Sequence, residues 1–96
     1  MSKVYIINKS AHNFAATKKY GQAVYLSEGL MDRYATTNIH RQFESAMKDS
    51  GPNDYIVLCS LNVMNSICCA IFTKKHGCLN LLLYKKGSYI ERNLVI

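Results

Sequence analysis

Asn8, Lys9, Ser10, His12, Asn13, Ser27, Glu28, Gly29, Arg33, Ser60 and Asn62 are the residues whose types and spacing suit chemistry, and that chemistry is recognition of an anion. The strongest signal is a junction. Tyr55-Ile-Val-Leu-Cys59 has the composition of a short buried strand and runs through Ser60 into an apolar stretch from Leu61 to His76 that reads as a helix. Ser60 is the expected N-cap, so that the first free N–H groups and the positive end of the helix dipole face whatever lies beyond the strand. Lys9 supplies a positive charge, and Ser10, Ser60 and Asn62 supply hydrogen-bond donors. Glu28 suits a ribose hydroxyl, and Arg33 can reach the same edge of the sheet.

Other chemistries have little support in the spacing. His12 is the one candidate for acid–base work, which would make the chain a metal-independent phosphodiesterase. His40 and His76 sit in helical positions with ordinary structural explanations. The three histidines lack mutual spacing for a shared metal, and neither a G-x-G-x-x-G run nor a Walker-type loop is present, so no metal and no cofactor are expected. Cys59, Cys68, Cys69 and Cys78 show no C-x-x-C pairing; three of them fall in segments read as buried strand or helix, and all read as reduced structural thiols, which implies a cytosolic setting.

Composition bounds the partners. The chain has 96 residues, 49% of them hydrophobic and 19% charged, as expected of one folded domain spanning residues 1–96. A domain this small hides a modest share of its surface, so self-association is expected, most simply as a twofold dimer. Twelve Lys and Arg against six Asp and Glu leave a charge of +6, which favours anionic partners. The basic residues fall in scattered doublets (Lys18-Lys19, Lys74-Lys75, Lys85-Lys86), so a small anion ranks ahead of nucleic acid. No signal-peptide layout and no apolar run of about 20 residues appear, and neither export nor a membrane partner is expected.

The elements that must position these residues follow from periodicity. Val4-Tyr5-Ile6-Ile7 reads as a strand buried on both faces, Phe14–Tyr20 as a short helix stopped by Gly21, and Gln22–Ser27 as a second strand. Thr36-Thr37-Asn38 offer caps for a helix from about Ile39 to Ser50, with an apolar stripe of Ile39, Phe43 and Met47, a Glu44–Lys48 pair and a stop at Gly51-Pro52. The helix after Ser60 carries apolar residues around most of its circumference and is expected to be widely buried. Cys78–Tyr84 and Tyr89 to about Val95 form a final hairpin through Lys86-Gly87. The order is βαβαβαββ, an α/β fold with a mostly parallel sheet, an antiparallel C-terminal hairpin and helices packed on it. Polar strand ends at residues 8–13, 27–29 and 60–62 are expected to converge beyond the sheet.

The opening Lys3-Val-Tyr-Ile-Ile-Asn8, the crossover Ser60-Leu-Asn-Val-Met-Asn-Ser-Ile-Cys68 and the closing hairpin together resemble the layout of the small viral ring nucleases that act as type III anti-CRISPR proteins. That resemblance implies a phage accessory protein working in the host cytoplasm on a cyclic oligoadenylate. In that family a His near the start of the central helix supports cleavage, whereas this chain offers Ser60 and Asn62 there. The expectation is therefore a non-enzymatic, sequestering binder of a small phosphate-bearing or cyclic nucleotide. The alternatives are a module that inhibits a host enzyme through its surface, a nucleic-acid binder using Tyr20, Tyr84 and Tyr89, and the His12 phosphodiesterase.

Overall fold

In the computed structural model, which describes residues 2–10 and 12–96, the apolar runs become one five-stranded sheet. The elements are β1 (Lys3–Ile6), a 3-10 helix (Ala15–Tyr20), β2 (Gln22–Tyr25), α1 (Thr36–Ala46), β3 (Tyr55–Val57), α2 (Asn62–His76), β4 (Cys78–Lys85) and β5 (Ser88–Val95). The alternation read from the sequence is the one observed.

Across the sheet the strands run β2-β1-β3-β4-β5, parallel except for the last pair. Tyr5 is the hub of the register, facing Val24 on one side and Ile56 on the other. Val4, Tyr5 and Ile6 are all buried, as a central strand covered on both faces requires. Lys86 and Gly87 turn β4 into β5 with φ of +50° and +85°. A two-residue turn with both φ positive matches the twist of the paired strands, and glycine adopts the second position without strain.

The two faces are covered unequally. On one, α1 and α2 pack Ile39, Phe43, Met47, Met64, Cys68, Ile71 and Phe72 against Tyr5 and Ile56. On the other, Val4, Ile6, Val57, Leu82 and Tyr89 are covered by Phe14, Ala16 and Tyr20 from the 3-10 segment. That segment is tightened by Thr17, whose N–H and Oγ both donate to the Phe14 carbonyl, at 3.0 and 2.7 Å.

Four local expectations need correction. Residues 36–38 do not cap α1: the helix starts at Thr36 behind Ala35 with no side-chain cap, because a turn around Asp32 sets its entry. In that turn Tyr34 N–H donates to Asp32 Oδ1 and Ala35 N–H to the Asp32 carbonyl. At its other end α1 stops at Ala46, ahead of Gly51-Pro52, and Lys75 Nζ takes up the Met47 and Lys48 carbonyls at 3.0 and 2.6 Å. Glu44 meets His40 at 3.5 Å in place of Lys48. Finally, α2 buries one stripe only, leaving Val63, Ile67 and Cys69 half-buried and Ala70 exposed, since a single neighbouring helix and the sheet cannot enclose it.

Candidate functional site

Along the chain, β1 leads to the 3-10 helix on one face and then to β2, while β3 leads to α2 on the opposite face and then to β4. The connections leaving β1 and β3 thus part in opposite directions. A doubly wound sheet opens a crevice at such a switch point, beyond the carboxyl ends of the strands. Here it is a cavity of about 410 Å³.

Strand ends and the hairpin furnish its walls. Val57 and Leu82 extend the core into its floor, Asn8 and Ser10 come from the loop after β1, and Leu58, Cys59, Ser60 and Leu61 come from the β3–α2 turn. The aromatic wall is Phe14, Tyr84 and Tyr89 with His12 among them. The His12 ring lies edge-on at 5.0 Å from Phe14 and 4.6 Å from Tyr84, and its Nε2 is 3.3 Å from the Tyr89 hydroxyl. Burial, helped by Tyr84, raises the pKa of that hydroxyl, so Tyr89 stays protonated. The loop is fixed locally by Ser10 Oγ, which accepts from His12 N–H at 3.2 Å.

Ser60 lines the crevice but does not cap α2, which corrects the expectation. Leu61 occupies the N-cap position, and no side chain caps the helix. The turn is held from one turn further along: Asn65 Oδ1 accepts from Cys59 N–H at 2.9 Å and Asn65 Nδ2 donates to the Cys59 carbonyl at 2.8 Å. Its amide thereby stands in for a neighbouring strand and leaves the Ser60 hydroxyl exposed at the crevice. Cys59 Sγ accepts from Leu61 N–H at 3.4 Å, yet burial is the larger influence and raises the thiol's pKa. Burial likewise raises the pKa values of Cys68 and Cys69.

The remaining residues divide. Asn8 also ties β1 to the segment after β2, donating from Nδ2 to Ser27 Oγ at 3.0 Å and to the Gly29 carbonyl at 3.1 Å. Ser27 Oγ donates to the Ile7 carbonyl at 2.6 Å, and Glu28 forms an isolated bridge with Lys9. Ser27, Glu28 and Gly29 therefore extend the sheet and do not line the crevice. Lys9 and Asn13 lie across the loop in a second concavity of about 340 Å³, with Lys9 Nζ 5.2 Å above the Tyr25 ring. Arg33 rests over Tyr34 at 5.4 Å, and Asn62 occupies the first turn of α2, exposed; neither lines either cavity.

Tyr84 and Tyr89 entered the sequence reading only as stacking residues of the nucleic-acid alternative and not as part of the anion site, although the signal that places them there was present. A two-residue turn at Lys86-Gly87 places them directly opposite each other, and β4 is long enough to overhang the three-residue β3. No trio of His, Cys, Asp or Glu among the described residues is arranged to hold a metal ion.

The fold and crevice define a small α/β domain with a doubly wound sheet and an aromatic-walled cavity at its switch point. The chain belongs to the Phage Pam3 gp32-like protein family, which it matches over residues 2–96. No curated protein and no solved structure shows significant similarity to it. Among the described residues no helix is long and apolar enough to cross a membrane.

Proposed function

We propose that this phage-family protein is a non-enzymatic binder of a small nucleotide, with the base held in the crevice. The observation that carries the reading is the cavity at the switch point, whose aromatic wall of Phe14, Tyr84 and Tyr89 meets the exposed polar groups of Ser10 and Ser60. Its size falls in the range of small-molecule sites, and a flat heteroaromatic ring can use both kinds of wall. Binding is favoured over turnover because His12 is engaged by Tyr89 and burial keeps the Cys59 thiol protonated. In an infected host cytoplasm such a protein acts by sequestration, a counter-defence role that fits the ring-nuclease-like layout of the chain. Calorimetry against nucleosides, nucleoside monophosphates and cyclic nucleotides tests it. At least one should bind more tightly than about 100 μM, roughly 5.5 kcal/mol, and a folded protein that binds none of them ends the proposal.

A second reading, contact with another protein, draws on the far edge of the sheet. There β5 pairs with β4 on one side and, among the described residues, has no strand on the other, with Leu94 and Val95 exposed. Such edges invite pairing with a second copy or a host protein. Light scattering of the wild type beside Leu94→Lys checks it: a dimer that the substitution dissociates supports the reading, and a wild-type monomer with no co-purifying partner removes it.

A further inference from the structure

Among the described residues no lysine or arginine lines the crevice, and a phosphate placed there would lose its hydration against Val57, Leu82 and the aromatic rings without a cation in return. The second concavity has the opposite character. It is lined by Lys9 and Lys18 together with Asn13, and it shares Ser10, His12 and Phe14 with the crevice. The two cavities are thus neighbours divided by one thin wall, the His12–Phe14 pair, whose rings are 5.0 Å apart. We propose that this wall is straddled by the ligand: the base lies in the crevice, and the phosphate lies on the other side, between Lys9 and Lys18. The assignment rests on the nucleotide reading above and adds to it a phosphate subsite and a ligand polarity.

Neighbouring groups suit that division. Lys9 is held over the Tyr25 ring, so its ammonium is already directed to this side of the loop, and the Ala15 N–H bond to Asn13 Oδ1 at 2.8 Å shapes the same rim. Lys18 is exposed and projects from the 3-10 helix whose Thr17 is buried beneath it. A nucleoside monophosphate carries its base and its phosphate at opposite ends of a ribose, so it has a group for each side of the wall where a free base has one only.

The test compares adenosine and guanosine with their 5′-monophosphates by calorimetry on the wild type, on Lys9→Ala/Lys18→Ala and on Lys74→Ala, which changes net charge at the far end of α2. The wild type should bind a monophosphate about tenfold or more tightly than its nucleoside. That ratio should fall towards one in the double variant, persist in Lys74→Ala, and shrink as salt is raised. Equal affinity of nucleoside and monophosphate for the wild type overturns the phosphate subsite while the binding function stands. A ratio lost equally in Lys74→Ala also overturns it, as a general charge effect. Binding of neither class overturns the nucleotide reading and the subsite with it.

Discussion

The amino and carboxyl ends of the sheet are both rich in polar residues, but they use them differently. At the amino end the polar groups satisfy one another. Asp54 accepts from Lys3 N–H and Gly51 N–H, both at 2.8 Å, and Asn80 donates to the Pro52 and Asp54 carbonyls at 2.7 and 2.9 Å while accepting from Asn93 at 3.0 Å. Ser50 and His76 close the same end at 2.8 Å. At the carboxyl end Ser10 and Ser60 are exposed, the aromatic rings stand at the surface of a cavity, and the chain is held by bonds to backbone that leave the cavity mouth open. One end is built to hold strands in register and the other to leave space.

The comparison is broken most severely at the closed end. Gly21 sits beside Ser2 with φ of +153°, and a Cβ there would run into the Ser2 carbonyl oxygen, a backbone atom already bonded to Gln22 N–H. Gly21→Ala should therefore cost about 3 kcal/mol or more in chemical denaturation. Asp54→Ala strands two backbone donors beside a buried site and should cost about 3 kcal/mol, with Asp54→Asn recovering part of it. Losses below about 1 kcal/mol for both would mean that the amino end is not the lock the bonds imply.

Effects at the open end should appear in affinity and not in stability. Tyr84 is 54% exposed and forms one wall of the crevice, so Tyr84→Ala should leave the fold nearly unchanged while weakening the best nucleotide ligand by about 1–3 kcal/mol. A large stability loss with unchanged affinity would reverse the roles of the two ends. The closed end also carries a pH signature. Burial first, and then Lys75, lower the pKa of His76, against a smaller opposing effect of Asp54. The unfolded chain then binds more protons between the folded pKa and the usual value of about 6.5, so stability rises with pH across that window. The fold should weaken as pH drops below about 6.5 and the trend should level off below the folded pKa. Denaturation at pH 7.5 and 5 should show a smaller difference for His76→Gln than for the wild type.

Local order was legible in the sequence because strands and helices here carry different periods. The Ile39, Phe43 and Met47 stripe, the paired burial of Val4 to Ile6, the stop at Gly77 and the Lys86-Gly87 turn all follow from side-chain spacing and turn chemistry. Strand order was not legible, because β3 reaches β1 across more than forty residues and nothing local encodes which edge β2 takes. The site shows the same split. Asn8, Ser10 and Ser60 follow from being strand ends, whereas Ser27 to Gly29 were drawn into the β1–β2 seam by Asn8, a choice made by tertiary hydrogen bonds. Helix entries failed for a related reason: Asn65 and the Asp32 turn did the work that Ser60 and Thr36 had the right chemistry to do.

Ser60 gives the smallest expected change in stability and the sharpest distinction between structure and ligand. A capping serine replaced by alanine costs about 1 kcal/mol, but here Leu61 holds the N-cap position and Asn65 closes the turn, so Ser60→Ala should shift stability by less than about 0.5 kcal/mol. Its hydroxyl is nevertheless on the crevice wall, where it can donate to a base carbonyl or ring nitrogen. Ser60→Ala should thus lower nucleotide affinity by about 1 kcal/mol, more than the change in stability explains. Ser60→Asp adds a second contrast. It places a carboxylate beside the base while the proposed phosphate lies across the His12–Phe14 wall, so it should favour bases that present N–H groups and disfavour those that present only acceptors. Thermal melts and isotherms on the two variants read these effects separately. A melt shifted by a full cap's worth with unaltered isotherms would return Ser60 to a structural role and leave the open end without its polar wall.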